Sequence, residues 1–68
     1  MNTITIECGK GLQSILIDVL KPIKMNKSDG TTNSRTTFEF IGVENNPVQK
    51  LKDYGKGVFE CLNIISQD

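Results

Sequence analysis

Residues 46–65, NPVQKLKDYGKGVFECLNII, decide the fold, because they admit either one long helix or a short helix followed by a strand. Asn46 before Pro47, with Gln49 three residues after Asn46, reads as a helix start. It offers an N-cap, a proline where the missing N–H costs nothing, and half of a capping box. Val48, Leu51, Gly55, Val58, Leu62 and Ile65 then keep the three-four spacing of one helical face. Two glycines inside a helix cost about 1 kcal/mol each relative to alanine, which favours stopping at Gly55 and making VFECLNII a last strand. The apolar register nevertheless runs unbroken through both glycines, and a Gly55 turned toward a sheet would let the helix backbone approach closely. The spacing therefore predicts one helix from about 47 to 65.

Upstream, Ile4, Ile6 and Cys8 alternate with Thr3, Thr5 and Glu7, the period-two pattern of a strand over residues 3–8 with one buried face. Residues 12–25 fit two periods. Leu12, Ile15, Leu16, Val19, Leu20 and Ile23 lie on one helical face, whereas Ile15, Ile17, Val19, Ile23 and Met25 lie on one strand face. A helix ending near Lys21 would leave residues 22–35 as a long structureless loop, which compact domains rarely carry. A strand interrupted at Pro22 instead runs into Asp29-Gly30, a strong hairpin signal, and returns through RTTFEFIGV. In the return strand Phe38 and Phe40 share one face, and Thr37, Glu39, Ile41 and Val43 the other. The resulting expectation is an α+β fold: a three-stranded antiparallel meander with a C-terminal helix packed on one face, within a single small domain over residues 1–68. The alternatives are β-α-β-α and β-α-β-α-β orders.

Composition narrows the function. Eight basic residues balance eight acidic ones and Arg35 is the only arginine, so duplex nucleic acid is a disfavoured partner. The chain has no histidine. Without it neither a cysteine nor a serine nucleophile has its usual base, and Cys8 and Cys61 cannot complete a zinc site of the common types. No catalytic residue, metal or cofactor is expected, and Glu7, Glu39 and Asp18 read as solubilising charges. No apolar run reaches the roughly 18 residues that cross a bilayer. A cytoplasmic chain with both thiols reduced is the expectation.

Two Gly-Lys-Gly units, Gly9-Lys10-Gly11 and Gly55-Lys56-Gly57, raise the question of phosphate binding, but neither fits the longer P-loop pattern. The first reads as a strand-to-strand turn and the second as a packing site in the last helix. The polar run NKSDGTTNSR, residues 26–35, reads as a solvated hairpin tip or a recognition arm carrying Lys27, Asp29 and Arg35.

Counting faces gives the main functional inference. One helix covers one face of a three-stranded sheet, while residues 15–25 and 38–43 carry apolar side chains on both faces. Leu16 and Leu20, with Phe38 and Phe40 or with Ile41 and Val43, would then form an uncovered apolar patch, and such patches mark contact surfaces. The reading is a non-enzymatic module acting by stoichiometric protein–protein interaction, as an inhibitor or adaptor, through Leu16, Leu20, Phe38 and Phe40. Its partners would be itself, most simply as a two-fold dimer, and a further protein. Small inhibitors and adaptors of phages and other mobile elements share this profile by analogy. The alternative is an oligomer that sequesters an anionic small ligand such as a nucleotide, with Lys10, Lys56 and Arg35 on phosphate and Tyr54 stacked on a base.

Overall fold

A computed structural model describes residues 2–29 and 35–68. The chain is α+β: β1 (Asn2–Gly9), α1 (Gln13–Leu20), β2 (Lys24–Asp29), β3 (Arg35–Val43), α2 (Pro47–Tyr54) and β4 (Asn63–Gln67). A 3-10 turn over Lys10–Leu12 leads into α1, and another over Phe59–Cys61 precedes β4. The strands form one antiparallel sheet in the order β2-β3-β1-β4. Each helix therefore links two strands that have a third between them, which is the β-α-β-β-α-β connectivity called ferredoxin-like.

The expected first strand is present, and Ile4, Ile6 and Cys8 are buried along it. Burial pushes the Cys8 thiol pKa above its ordinary value, Arg35 opposing and Glu7 adding to the effect. Of the predicted strand over residues 15–25, residues 15–20 instead lie in α1, with Leu16 and Leu20 buried and Leu12 and Val19 packed against the core, and only Lys24 and Met25 belong to a strand. Lys21 adopts the left-handed conformation at φ 48° and donates its N–H to the Ile17 carbonyl at 2.9 Å. Pro22 follows at once, so the pair forms a helix stop and Pro22 does not interrupt a strand. The strand that pairs with β3 starts only at Lys24. Its sequence KMNKSD has almost no apolar alternation because it lies at the sheet edge and needs little more than its ladder with β3. The expected turn at Asp29-Gly30 reaches beyond the described residues, which omit 30–34.

In β3, Phe38 and Phe40 are buried as one face, but Val43 joins them there. The register passes from Thr3 opposite Ile41 to Asn2 opposite Val43, so Gly42 is the extra residue of a bulge. Its φ of 76° suits glycine, and the bulge turns Val43 from the face of Ile41 onto the core.

The helix start at Pro47 is as expected, although Asn46 makes no side-chain cap and Gln49 instead donates to Asp53 Oδ1 at 2.9 Å. The long helix to residue 65 does not form. Gly55, Lys56 and Gly57 all have positive φ, at 74°, 59° and 74°, and a right-handed helix cannot pass through three such residues. Gly55 has no close neighbour where a side chain would begin, so backbone conformation, not close packing, accounts for it. The chain turns there, buries Val58, and returns as β4 along β1.

Both helices lie against the same face of the sheet. Leu16 and Leu20 of α1 and Leu51 of α2 enter one core cluster with Ile4, Ile6, Cys8, Phe38, Phe40 and Val43. The expected uncovered apolar patch is therefore absent: Leu16, Leu20, Phe38 and Phe40 are fully enclosed within the single chain. The missed second helix is the physical reason, because it supplies a cover for this face. No helix among the described residues is long and apolar enough to cross a membrane.

Candidate functional site

Among the described residues no helix lies over the other sheet face. Strand alternation places Thr3, Thr5 and Glu7 of β1 there, beside Arg35, Thr37, Glu39 and Ile41 of β3. The flanking positions are Lys24, Asn26 and Ser28 on β2 and Asn63 and Ser66 on β4. The central strands contribute half-buried side chains and the edge strands exposed ones. The face is broad, polar and studded with β-branched threonines, which suit strands through their stiff side chains.

Two side-chain groups give this face a fixed pattern. Arg35 Nε lies 3.6 Å from Glu7 Oε1, and its Nη2 donates to the Glu7 carbonyl at 3.2 Å and to the Cys61 carbonyl at 3.5 Å. Asn63 Nδ2 donates to the same Glu7 carboxylate at 3.5 Å. One guanidinium thus ties β3 to β1 and to the turn leading into β4. The second group joins β2 to β3, with Asn26 Nδ2 donating to Glu39 Oε1 at 2.9 Å. Such half-exposed contacts each add at most about 1 kcal/mol to stability, so their larger effect is to orient side chains. Glu7 and Glu39 share this face, whereas Asp18 lies exposed on α1. Glu7 accepts from Asn63 and pairs with Arg35, and Glu39 accepts from Asn26.

The four residues proposed as anion contacts come to one end of the molecule. β1 and β2 end there and β3 and β4 begin there, because Gly9 pairs with Arg35, Asp29 with Thr36 and Glu7 with Asn63. Lys10, Arg35, Tyr54 and Lys56 share that end. Arg35 is engaged by Glu7, and the Lys56 ammonium sits 5.6 Å from the centroid of the Tyr54 ring. No hydrogen bond, ion pair or ring contact joins the two Gly-Lys-Gly units, and no enclosed pocket forms, among the described residues. The first unit is a strand-to-helix junction, not the expected strand-to-strand turn.

At the opposite end Glu44 receives Lys50 Nζ at 2.6 Å. That hydrogen bond, then the Lys50 charge and the more distant Lys21, hold the Glu44 pKa below the ordinary 4.5. A carboxyl depressed on folding stabilises the fold above its unfolded pKa, and this contribution disappears as pH falls through the folded value. Urea midpoints measured from pH 7 down to pH 2 are expected to show a gap between the native chain and Glu44→Gln that closes below about pH 4. The gap will be small, since the pair is exposed.

Polar residues 35, 37 and 39 alternating with Thr36, Phe38 and Phe40 were the signal for the open face. Its significance was hidden while a second apolar face was expected. Compared with protein-family models, with curated proteins and with solved structures, the chain shows no match.

Proposed function

We propose that the protein is a non-enzymatic binding module that acts stoichiometrically on a protein partner, as an inhibitor or adaptor, through the open face of its sheet. The observation that carries this reading is a four-stranded sheet with both helices on one side, whose other side presents a mainly polar surface already patterned by Arg35, Glu7, Asn63, Asn26 and Glu39. Side chains held before contact lose less freedom on binding, so more of the contact energy is retained. The face has backbone rigidity from ladders on both sides of β1 and β3, which loops lack. Ligand capture at the other candidate end is supported less well, since Arg35 is already paired with Glu7 and no enclosed pocket forms there among the described residues.

The test places a long charged side chain in the middle of the face. Tagged native chain, Thr5→Arg and a control, Asp18→Arg on the exposed side of α1, are used as baits in extract of the source cells. A partner retained in fixed stoichiometry by the native chain and the control, and reduced at least tenfold with Thr5→Arg at unchanged melting temperature, supports the assignment. Equal retention by Thr5→Arg would reject it.

A further inference from the structure

Ile23 is the most exposed large apolar side chain among the described residues, at 76%. Its backbone is fixed on both sides. The Lys21 N–H is held by the Ile17 carbonyl and the Ile23 N–H by the Ile41 carbonyl, both at 2.9 Å, and the ring of Pro22 between them locks a further dihedral. The side chain lies across Gly42, with carbons between 2.7 and 2.9 Å from where a Cβ would stand. That contact roofs the glycine, yet most of the isoleucine surface stays in water.

A single scattered apolar side chain is ordinary on a protein surface. This one is distinguished by its neighbours. Ile41, whose carbonyl it holds, is the only aliphatic residue among those placed on the open face, and its partner in the β2 ladder is Lys24. Lys21 and Lys24 flank the isoleucine, both exposed, and neither side chain makes an ion pair or hydrogen bond among the described residues. The nearby acids are engaged, Glu44 by Lys50 and Glu39 by Asn26. Each lysine also has a local use, Lys24 against edge-to-edge pairing and Lys21 beside the carbonyl end of α1. Neither use calls for an exposed isoleucine between them. The result is a fixed apolar knob flanked by two cations, at the end of the open face opposite Arg35.

We propose that this corner is the anchor point of the open face, and that it selects a partner segment in which Asp or Glu residues flank an aliphatic side chain. The inference rests on the binding role assigned to that face. Charge complementarity decides the occupant. A neutral or basic segment would take Lys21 and Lys24 out of water with nothing to pair, whereas carboxylates pair with both while the aliphatic side chain covers Ile23. Because the backbone of the corner is already fixed, little freedom is lost when the contact forms.

The probe is a random dodecapeptide library displayed on phage and selected on the folded full chain. Enrichment of sequences with two or more acidic residues around Leu, Ile, Val or Met is the expected result. The best of these, synthesised, should bind at least tenfold more weakly to Ile23→Ser at unchanged melting temperature. The double variant Lys21→Gln, Lys24→Gln should lose as much, which covers the case in which Ile23→Ser fails to fold. Binding should also weaken when salt is raised from about 50 mM to about 500 mM, as screening of charge pairs requires. No enrichment, enrichment without an acidic excess, or equal binding by either folded variant overturns the proposal. The corner and the face fail separately. A partner lost with Thr5→Arg but kept with Ile23→Ser rejects the corner alone, whereas peptides that depend on Ile23, beside a partner indifferent to Thr5→Arg, reject the role of the face and keep the corner.

Discussion

Replacing Phe38 by alanine is expected to leave the chain without a cooperative thermal transition. Phe38 is fully buried on β3, one of the two central strands, and its ring centroid lies 6.0 Å from that of Phe40. Ile6 stands opposite it on β1. Removing a buried aromatic ring costs about 3–5 kcal/mol, through lost transfer energy and the cavity left behind. A chain of 68 residues has a total stability of only about 3–10 kcal/mol. The loss is therefore comparable with the whole. Phe38→Leu, which retains much of the volume, should keep a cooperative but lower transition. Circular dichroism melting distinguishes the cases, and a Phe38→Ala variant melting within a few degrees of the native chain would show that this side chain is not in the core.

Gly42→Ala is expected to cause the next largest loss, about 2–4 kcal/mol, although it adds a single methyl group. Two causes combine. Gly42 has φ 76°, which a residue with a Cβ adopts at a cost, and an added Cβ would lie 2.7 Å from Ile23 Cδ1 and 2.9 Å from both Ile23 Cβ and Cγ1. Ile23 is 76% exposed, so its outer atoms have room to swing away, but its Cβ is fixed to a backbone whose N–H is held by the Ile41 carbonyl at 2.9 Å. Combining Gly42→Ala with Ile23→Ala should recover only part of the loss, because the φ term and the Cβ contact persist. In a domain of this size each kcal/mol lowers the melting temperature by about 4–8 °C, which places the single variant well within calorimetric detection. Should Gly42→Ala melt like the native chain, the bulge would not be in the position described, nor Val43 on the core face.

The same bulge illustrates what the sequence made legible. Alternation at Ile4, Ile6 and Cys8 was sufficient for β1, because a central strand with one buried face must display it. Pro47 after Asn46 was sufficient for the start of α2. Around residues 12–25 the apolar residues support both a helix and a strand, and Pro22 fits an interrupted strand as well as a helix end so long as β2 has no apolar signal of its own. An edge strand such as KMNKSD takes its stability from one ladder, so hydrophobic patterning does not reveal it. At the other end, the three-four spacing from Val48 to Ile65 was a coincidence of a helix, a left-handed turn and a strand.

The candidate site followed from these same residues. With only one helix in view, Leu16, Leu20, Phe38 and Phe40 had to be an exposed surface. With two helices, they become the interior, and the surface left over is the polar set around Arg35. The Arg35–Glu7–Asn63 group depends on β4 lying beside β1, and that contact between distant segments has no local sequence signature.

The placement of β4 is thus the point on which the open face and the Arg35 network depend. Nuclear Overhauser measurements between β1 and residues 63–67 test it most directly. The structure predicts interstrand contacts between Glu7 and Asn63 and between Thr5 and Ser66, with strand-type chemical shifts at both segments. Helical shifts continuing from residue 47 to residue 65, with no contact between these residues and β1, would contradict it.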